Sequence, residues 1–218
     1  IIAIMFAALI DGLDGRIARL IKCTSKVGKE LDSLTDMISF GVAPAFIMYF
    51  WKLNTLGRFG WLLCLVFVIC VALRLARFNI NSNQEPSWRD NFFEGVPSPA
   101  GGILVLTPLI ISLSGFDFFQ LNYDIIVPIF FVTTSFLLIS KFPSYSFKKI
   151  VIRRRTTIFL LFGIVLFFGL LLVYTFNVIA ISAIVYLLLL PISYVHYQKI
   201  KNKHEKDKIQ DEDDLEDV

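Results

Sequence analysis

Histidine and cysteine are scarce in this chain of 218 residues, two of the first and three of the second. Cys23, Cys64 and Cys70 form no CxxC pair and have no histidine beside them, which excludes a zinc site and a disulfide framework. Cys64 and Cys70 sit in apolar runs, where a thiol behaves as a small hydrophobe. His196 and His204 lie past the last apolar run and are assigned no chemistry. Acids are also scarce once the end of the chain is set aside, since eight of the eighteen fall in the last fourteen residues. A water-soluble core is excluded in turn, because 56% of the residues are hydrophobic and 15% aromatic, against roughly 45–50% apolar usage in soluble domains. What remains is an integral membrane protein with a basic, acid-poor body.

Apolar runs recur at about residues 1–20, 37–51, 59–78, 99–115, 123–140, 157–175 and 177–195, each near the ~20 residues that cross a ~30 Å hydrocarbon layer. The expected fold is all-α, a polytopic membrane helical bundle with about seven visible transmembrane helices over residues 1–198. Pro44, Pro108, Pro128, Gly163 and Pro191 interrupt the runs, which membrane helices tolerate when neighbours satisfy the freed backbone groups. Residue 1 is Ile and ten largely apolar residues precede Asp11, so an N-terminal part is expected to be missing. Residues 199–218 are a basic block followed by an acidic one, expected to form a disordered charged cytoplasmic tail. Trp51, Trp61, Tyr123 and Tyr194 fit interfacial belts, and Phe159, Phe162, Phe167 and Phe168 read as lipid-facing or packing groups.

The break in this pattern is "DGLDGRIARLIKCTSKVGKELDSLTD", residues 11–36, with four aspartates and five basic residues between apolar helices. Asp11 and Asp14 are three apart, while Gly28, Asp32 and Asp36 step by four along one helix face. Two helix ends can therefore converge four carboxylates. Such a cluster repels itself strongly at a membrane boundary, so a cation is expected among the aspartates. All-oxygen ligation suits a hard ion, Mg²⁺ or Mn²⁺, and four carboxylates can bridge two. Gly15, Ala18 and Gly28 leave room for a diphosphate to approach the backbone, and Arg19 and Lys26 can neutralise further phosphate charge. The bland alternative is a set of surface ion pairs with Arg16, Arg19 and Lys22 in an ordinary loop.

The run Asp11-x2-Asp14-Gly15-x2-Ala18-Arg19-x8-Gly28-x3-Asp32-x3-Asp36 resembles the signature of the CDP-alcohol phosphatidyltransferases, with all eight residue identities at the family's spacing. The resemblance implies a helical membrane enzyme, in a bacterial cytoplasmic (inner) membrane, that attacks a CDP-linked lipid with an alcohol and releases CMP at a cytoplasm-facing site with two divalent metals. It implies Asp11, Asp14, Asp32 and Asp36 as metal ligands, Gly15, Ala18, Arg19 and Gly28 as contacts of the CDP moiety, and Asp36 as general base too. It also implies a homodimer.

Three further segments, "SFGVAPAF" (39–46), "RLARFN" (74–79) and "FEGVPSPAGG" (93–102), resemble the phosphatidylserine synthase branch of that family, in which L-serine displaces CMP from CDP-diacylglycerol. Serine carries a carboxylate that Arg74, Arg77 or Lys141 could pair, and Asn79 and Ser98 could supply neutral hydrogen bonds. Against this, Arg74 and Arg77 also fit positive-inside anchoring, and Pro97 and Pro99 fit a proline-started helix entry. The six basic residues within 141–155 would attract anionic lipid, at roughly 1 kcal/mol each near the surface. No nucleic-acid module accompanies them. With the Asp-rich segment in the cytoplasm, the basic residues of 16–29, 74–77, 141–155 and 199–208 fall inside, and little more than Lys52 and Arg58 falls outside. The rival acceptors are glycerol 3-phosphate, an inositol compound or choline. A rival class is a cation transporter using the aspartates as its ion path.

Overall fold

The structure, a computed structural model, describes residues 1–21, 26–81, 92–115, 122–140, 143–145 and 154–216, by backbone alone over 14–21, 26, 81, 92–94, 143–145, 154–156 and 199–216. Among the described residues eight helices carry the fold: α1 (Ile2–Ile21), α2 (Lys26–Asp36), α3 (Ala43–Trp51), α4 (Arg58–Asn81), α5 (Ser98–Ser114), α6 (Tyr123–Ile139), α7 (Arg154–Val173) and α8 (Thr175–Glu216). A π-helical segment, Met37–Val42, joins α2 to α3, and a 3-10 turn, Leu53–Leu56, leads into α4. Two three-residue strands, β1 (Phe92–Glu94) and β2 (Pro143–Tyr145), pair antiparallel with Phe93 opposite Ser144. This ribbon was not expected from the sequence, and the architecture remains all-α.

The ends of the helices follow from local chemistry. Asn122 caps α6 by accepting the Asp124 N–H at 3.2 Å. Helix α5 opens with Pro97 at its cap and Pro99 in its first turn, and it stops at Gly115, whose φ of +70° is the left-handed conformation common just past a helix end. The apolar run expected at 37–51 proves to be the second half of a longer helical stretch, Val27–Trp51. The polar residues 27–36 are helix, as the four-residue spacing of Gly28, Asp32 and Asp36 implies.

The core lies where α4 packs on α3 and α6, and where α5 packs between α6 and α8. Phe67 of α4 meets Phe131 of α6 edge to face at 5.5 Å, both fully buried, a pairing that adds about 0.5–1.5 kcal/mol to the area buried. Gly102 of α5 lets that helix close on the π segment: a Cβ there would stand 3.0 Å from Phe40 O and 3.2 Å from its Cα. Small residues at such crossings are how membrane helices approach closely. Cys64 and Cys70 are buried free thiols, as expected, whereas Cys23 lies outside the described residues.

Val27–Trp51, Arg58–Ile80 and Thr175–Gln198 are long and apolar enough to cross a membrane, and Ile2–Leu13, Ser98–Ser114, Tyr123–Ile139 and Thr157–Val173 are shorter apolar helices. Large hydrophobic side chains cover the exterior, including Phe159, Phe162, Phe167 and Phe168 on α7. A surface of this kind needs lipid as its solvent, so the chain is an integral membrane protein. Helix α8 continues to Glu216 through residues whose composition predicts a disordered tail. Lys, Glu and Gln propagate a helix well once it is nucleated, and α8 supplies the nucleus.

Candidate active site

The two ends of the bundle differ in kind. At one, Lys52 Nζ lies 2.8 Å from Asp124 Oδ1, and Trp51 packs edge-on against Tyr123 at 5.4 Å. This closes α3 onto α6. At the other end the acidic helices meet.

Asp11 of α1 and Asp36, the last residue of α2, bring their side chains into hydrogen-bonding contact, and Asp32 and Arg74 are the next charges close enough to act on Asp36. The pair is assembled across the fold, since Asp11 and Asp36 belong to different helices. Asp32 stands on the exposed side one turn before Asp36, and Gly28 one turn earlier still. A hydrogen bond between two carboxyls needs a shared proton, so Asp11 and Asp36 together carry one negative charge, and with Asp32 against the Arg74 guanidinium this group of described residues stays net negative and attracts a cation. The all-oxygen donor set also suits a hard ion such as Mg²⁺ or Mn²⁺. Among the described residues no three acidic, histidine or cysteine side chains form a finished metal cage. Asp14, three residues after Asp11 on α1, has its backbone on the helix, and its side chain is outside the described part. The same holds for Gly15, Ala18, Arg19 and Lys26, while Lys141 lies outside the described residues altogether.

Arg74 is buried, and through Nη1 it donates a hydrogen bond to Ser98 Oγ, itself fully buried at the start of α5. Its guanidinium carbon lies 5.8 Å from the centroid of the Phe78 ring, within cation–π range. Asp36, Tyr186 and Asp11 are the other charged or titratable groups around it among the described residues. Its Nε has no hydrogen-bond partner among the described residues. A buried donor left unmade costs on the order of 1–3 kcal/mol, so this edge of the guanidinium is primed for an acceptor atom.

Two further sequence candidates, Asn79 and Arg77, are held by partners within the protein. Asn79 spends its amide on Ser33 Oγ at 2.8 Å, and Lys29 Nζ reaches Asn79 O at 3.4 Å. Both bonds tie α2 to the end of α4 and so fix the helix that carries Asp32 and Asp36. Arg77 donates to the Ile139 carbonyl at 2.7 Å. The structure thus gathers Asp11, Asp32, Asp36, Arg74 and Ser98 at one end, and it engages Asn79 and Arg77 in backbone and helix-tying bonds. Tyr186 of α8 was not foreseen. Its one mark in the sequence is being the lone polar group in the run "AIVYLLLL".

A family model described as CDP-alcohol phosphatidyltransferase matches residues 1–202. The chain belongs to the CDP-alcohol phosphatidyltransferase family. That family is in general dependent on divalent metals, and the carboxylate oxygens of Asp11, Asp32 and Asp36 are the donor type such ions take. Among curated relatives, a Mycobacterium leprae protein is 42% identical over 141 residues, 63% of this chain and 46% of the relative. A Helicobacter pylori protein is 40% identical over 147 residues, 67% of this chain and 60% of the relative. A Bacillus subtilis protein is 35% identical over 149 residues, 68% of this chain and 76% of the relative. All three carry the name CDP-diacylglycerol--serine O-phosphatidyltransferase. The matched stretch thus spans about half the length of the first two relatives, 46% and 60%.

Proposed function

We propose that this protein is a phosphatidylserine synthase, transferring the phosphatidyl group of CDP-diacylglycerol to the hydroxyl of L-serine with release of CMP. The observation that carries the reading is the meeting of Asp11 and Asp36 from separate helices beside the buried, half-satisfied Arg74, in a family whose relatives bear that name. Asp11, Asp14, Asp32 and Asp36 would hold two divalent ions, Mg²⁺ or Mn²⁺. When bound, these supply charge neutralisation for the diphosphate and the departing CMP. Gly15, Ala18, Arg19, Lys26 and Gly28 line the CDP moiety.

The chain's own residues then divide the remaining work. Arg74 pairs the serine carboxylate through its free edge, a geometry for which a guanidinium is better suited than an ammonium. Ser98 fixes the other side of that guanidinium. Asp36 takes the proton of the serine hydroxyl as its oxygen bonds to the lipid-bearing phosphorus, and the bond from that phosphorus to the CMP oxygen breaks. The polar end faces the cytoplasm of a bacterial inner membrane, in line with the basic residues gathered on that side, and the protein works as a homodimer.

The deciding experiment incubates purified protein with CDP-diacylglycerol and serine, glycerol 3-phosphate, inositol or choline in turn, following CMP with and without a chelator. CMP release that rises with serine alone and stops on chelation is expected. Release driven by another of these alcohols overturns the acceptor, and release indifferent to chelation overturns the metal assignment.

A further inference from the structure

Arg74 and Arg77 are one turn apart on α4 and equivalent as basic residues in the sequence, but the structure separates their tasks. Arg77 donates from Nη1 to Ile139 O at 2.7 Å. Ile139 is the last residue of α6, where the final carbonyls lack intrahelical partners and form the negative end of the helix dipole. A second attachment comes from the other side, where the Val96 N–H donates to Leu137 O at 3.4 Å. Gly95, just before it, has φ +79°. A Cβ at Gly95 would stand 2.9 Å from Ser140 O and 3.0 Å from Leu138 O. The end of α6 is therefore gripped between Arg77 and the Gly95–Val96 turn. Three residues beyond Gly95 comes Ser98, the partner of Arg74.

We propose that Arg77 is a positioning residue for the acceptor: by pinning the end of α6 to α4 it sets the turn that carries Ser98, and Ser98 in turn aims the Arg74 guanidinium. This rests on the reading of Arg74 as partner of the acceptor's carboxylate. Arg77 itself then touches no substrate. A direct-contact role predicts that its effects are independent of Gly95, whereas a positioning role makes the two residues parts of one device.

The test uses the full chain in detergent with CDP-diacylglycerol and serine. Arg77→Gln is expected to raise the serine KM about tenfold and to leave the CDP-diacylglycerol KM within about twofold, roughly what loss of one charged hydrogen bond would do. Arg77→Lys, which keeps a donor for Ile139 O, restores most of the loss. Gly95→Ala reproduces it, and the double variant is no worse than either single one. A fall in kcat at unchanged serine KM, failure of lysine to rescue, or multiplying effects in the double variant each overturns the proposal. Amide exchange at Val96 gives a readout independent of the acceptor: faster in Arg77→Gln and normal in Arg77→Lys supports the device, and no change overturns it. If wild-type protein shows no response to serine, the acceptor reading fails by itself, and the exchange result still decides the role of Arg77.

Discussion

At the scale of single residues, Asp36 stands where two demands meet. It touches Asp11, lies within reach of Asp32 and Arg74, and is half-buried where α2 ends. Replacing it with asparagine keeps the size and removes both a charge and a proton acceptor. Asp36→Asn is expected to lower CMP release by about 10²–10⁴-fold, the span of a positioned general base. The protein should still extract and melt as a folded species, because the change relieves repulsion among three acids. An unfolded variant, or one that keeps more than a tenth of the activity, would show that Asp36 is structural. The sequence carried the aspartate face plainly, since three- and four-residue steps report helical geometry directly. It carried much less about Asn79 and Arg77. Their partners are a serine on another helix and a backbone carbonyl, and a carbonyl leaves no mark in the sequence.

At the scale of elements, the acidic helices depend on their neighbours for placement. Helix α2 packs chiefly on the π segment, and that segment is held by α4 and α5. Gly102 is the closest of these approaches, with the Phe40 backbone in the space a side chain would need. Gly102→Ala is expected to destabilise the folded protein by about 1–3 kcal/mol, the usual cost of overpacking, and to lower transfer in proportion more than Gly163→Ala. Gly163 has open space around the same atom. Melting of both variants in one detergent checks the difference. The apolar runs in the sequence marked the helices well, and the run that begins at residue 37 marks only the apolar half of its helix for a physical reason. Hydropathy reports burial in lipid, but a helix does not end where its lipid-facing part ends.

At the scale of the whole molecule, the bundle has one end closed by an ion pair and one end that carries the carboxylates. Lys52 and Asp124 belong to the first, Glu30 and Asn79 to the second. In a chain with Cys23 replaced by serine, Asn54→Cys is expected to react with a membrane-impermeant thiol reagent from outside intact cells, and Glu30→Cys only after the cells are opened. The buried Cys64 and Cys70 should stay silent. Labelling in the reverse order would invert the orientation. Within this layout the π segment has an effect that reaches both ends. One extra residue in a helical turn rotates everything beyond it by about 100°. The row Gly28, Asp32, Asp36 and the buried row Ala45, Met48 therefore need not share one stripe. A single continuous rod can turn carboxylates outward in its first half and methyl groups to its neighbours in its second. Excising Ser39 would undo that offset and swing the acids away from Arg74 without altering any of them.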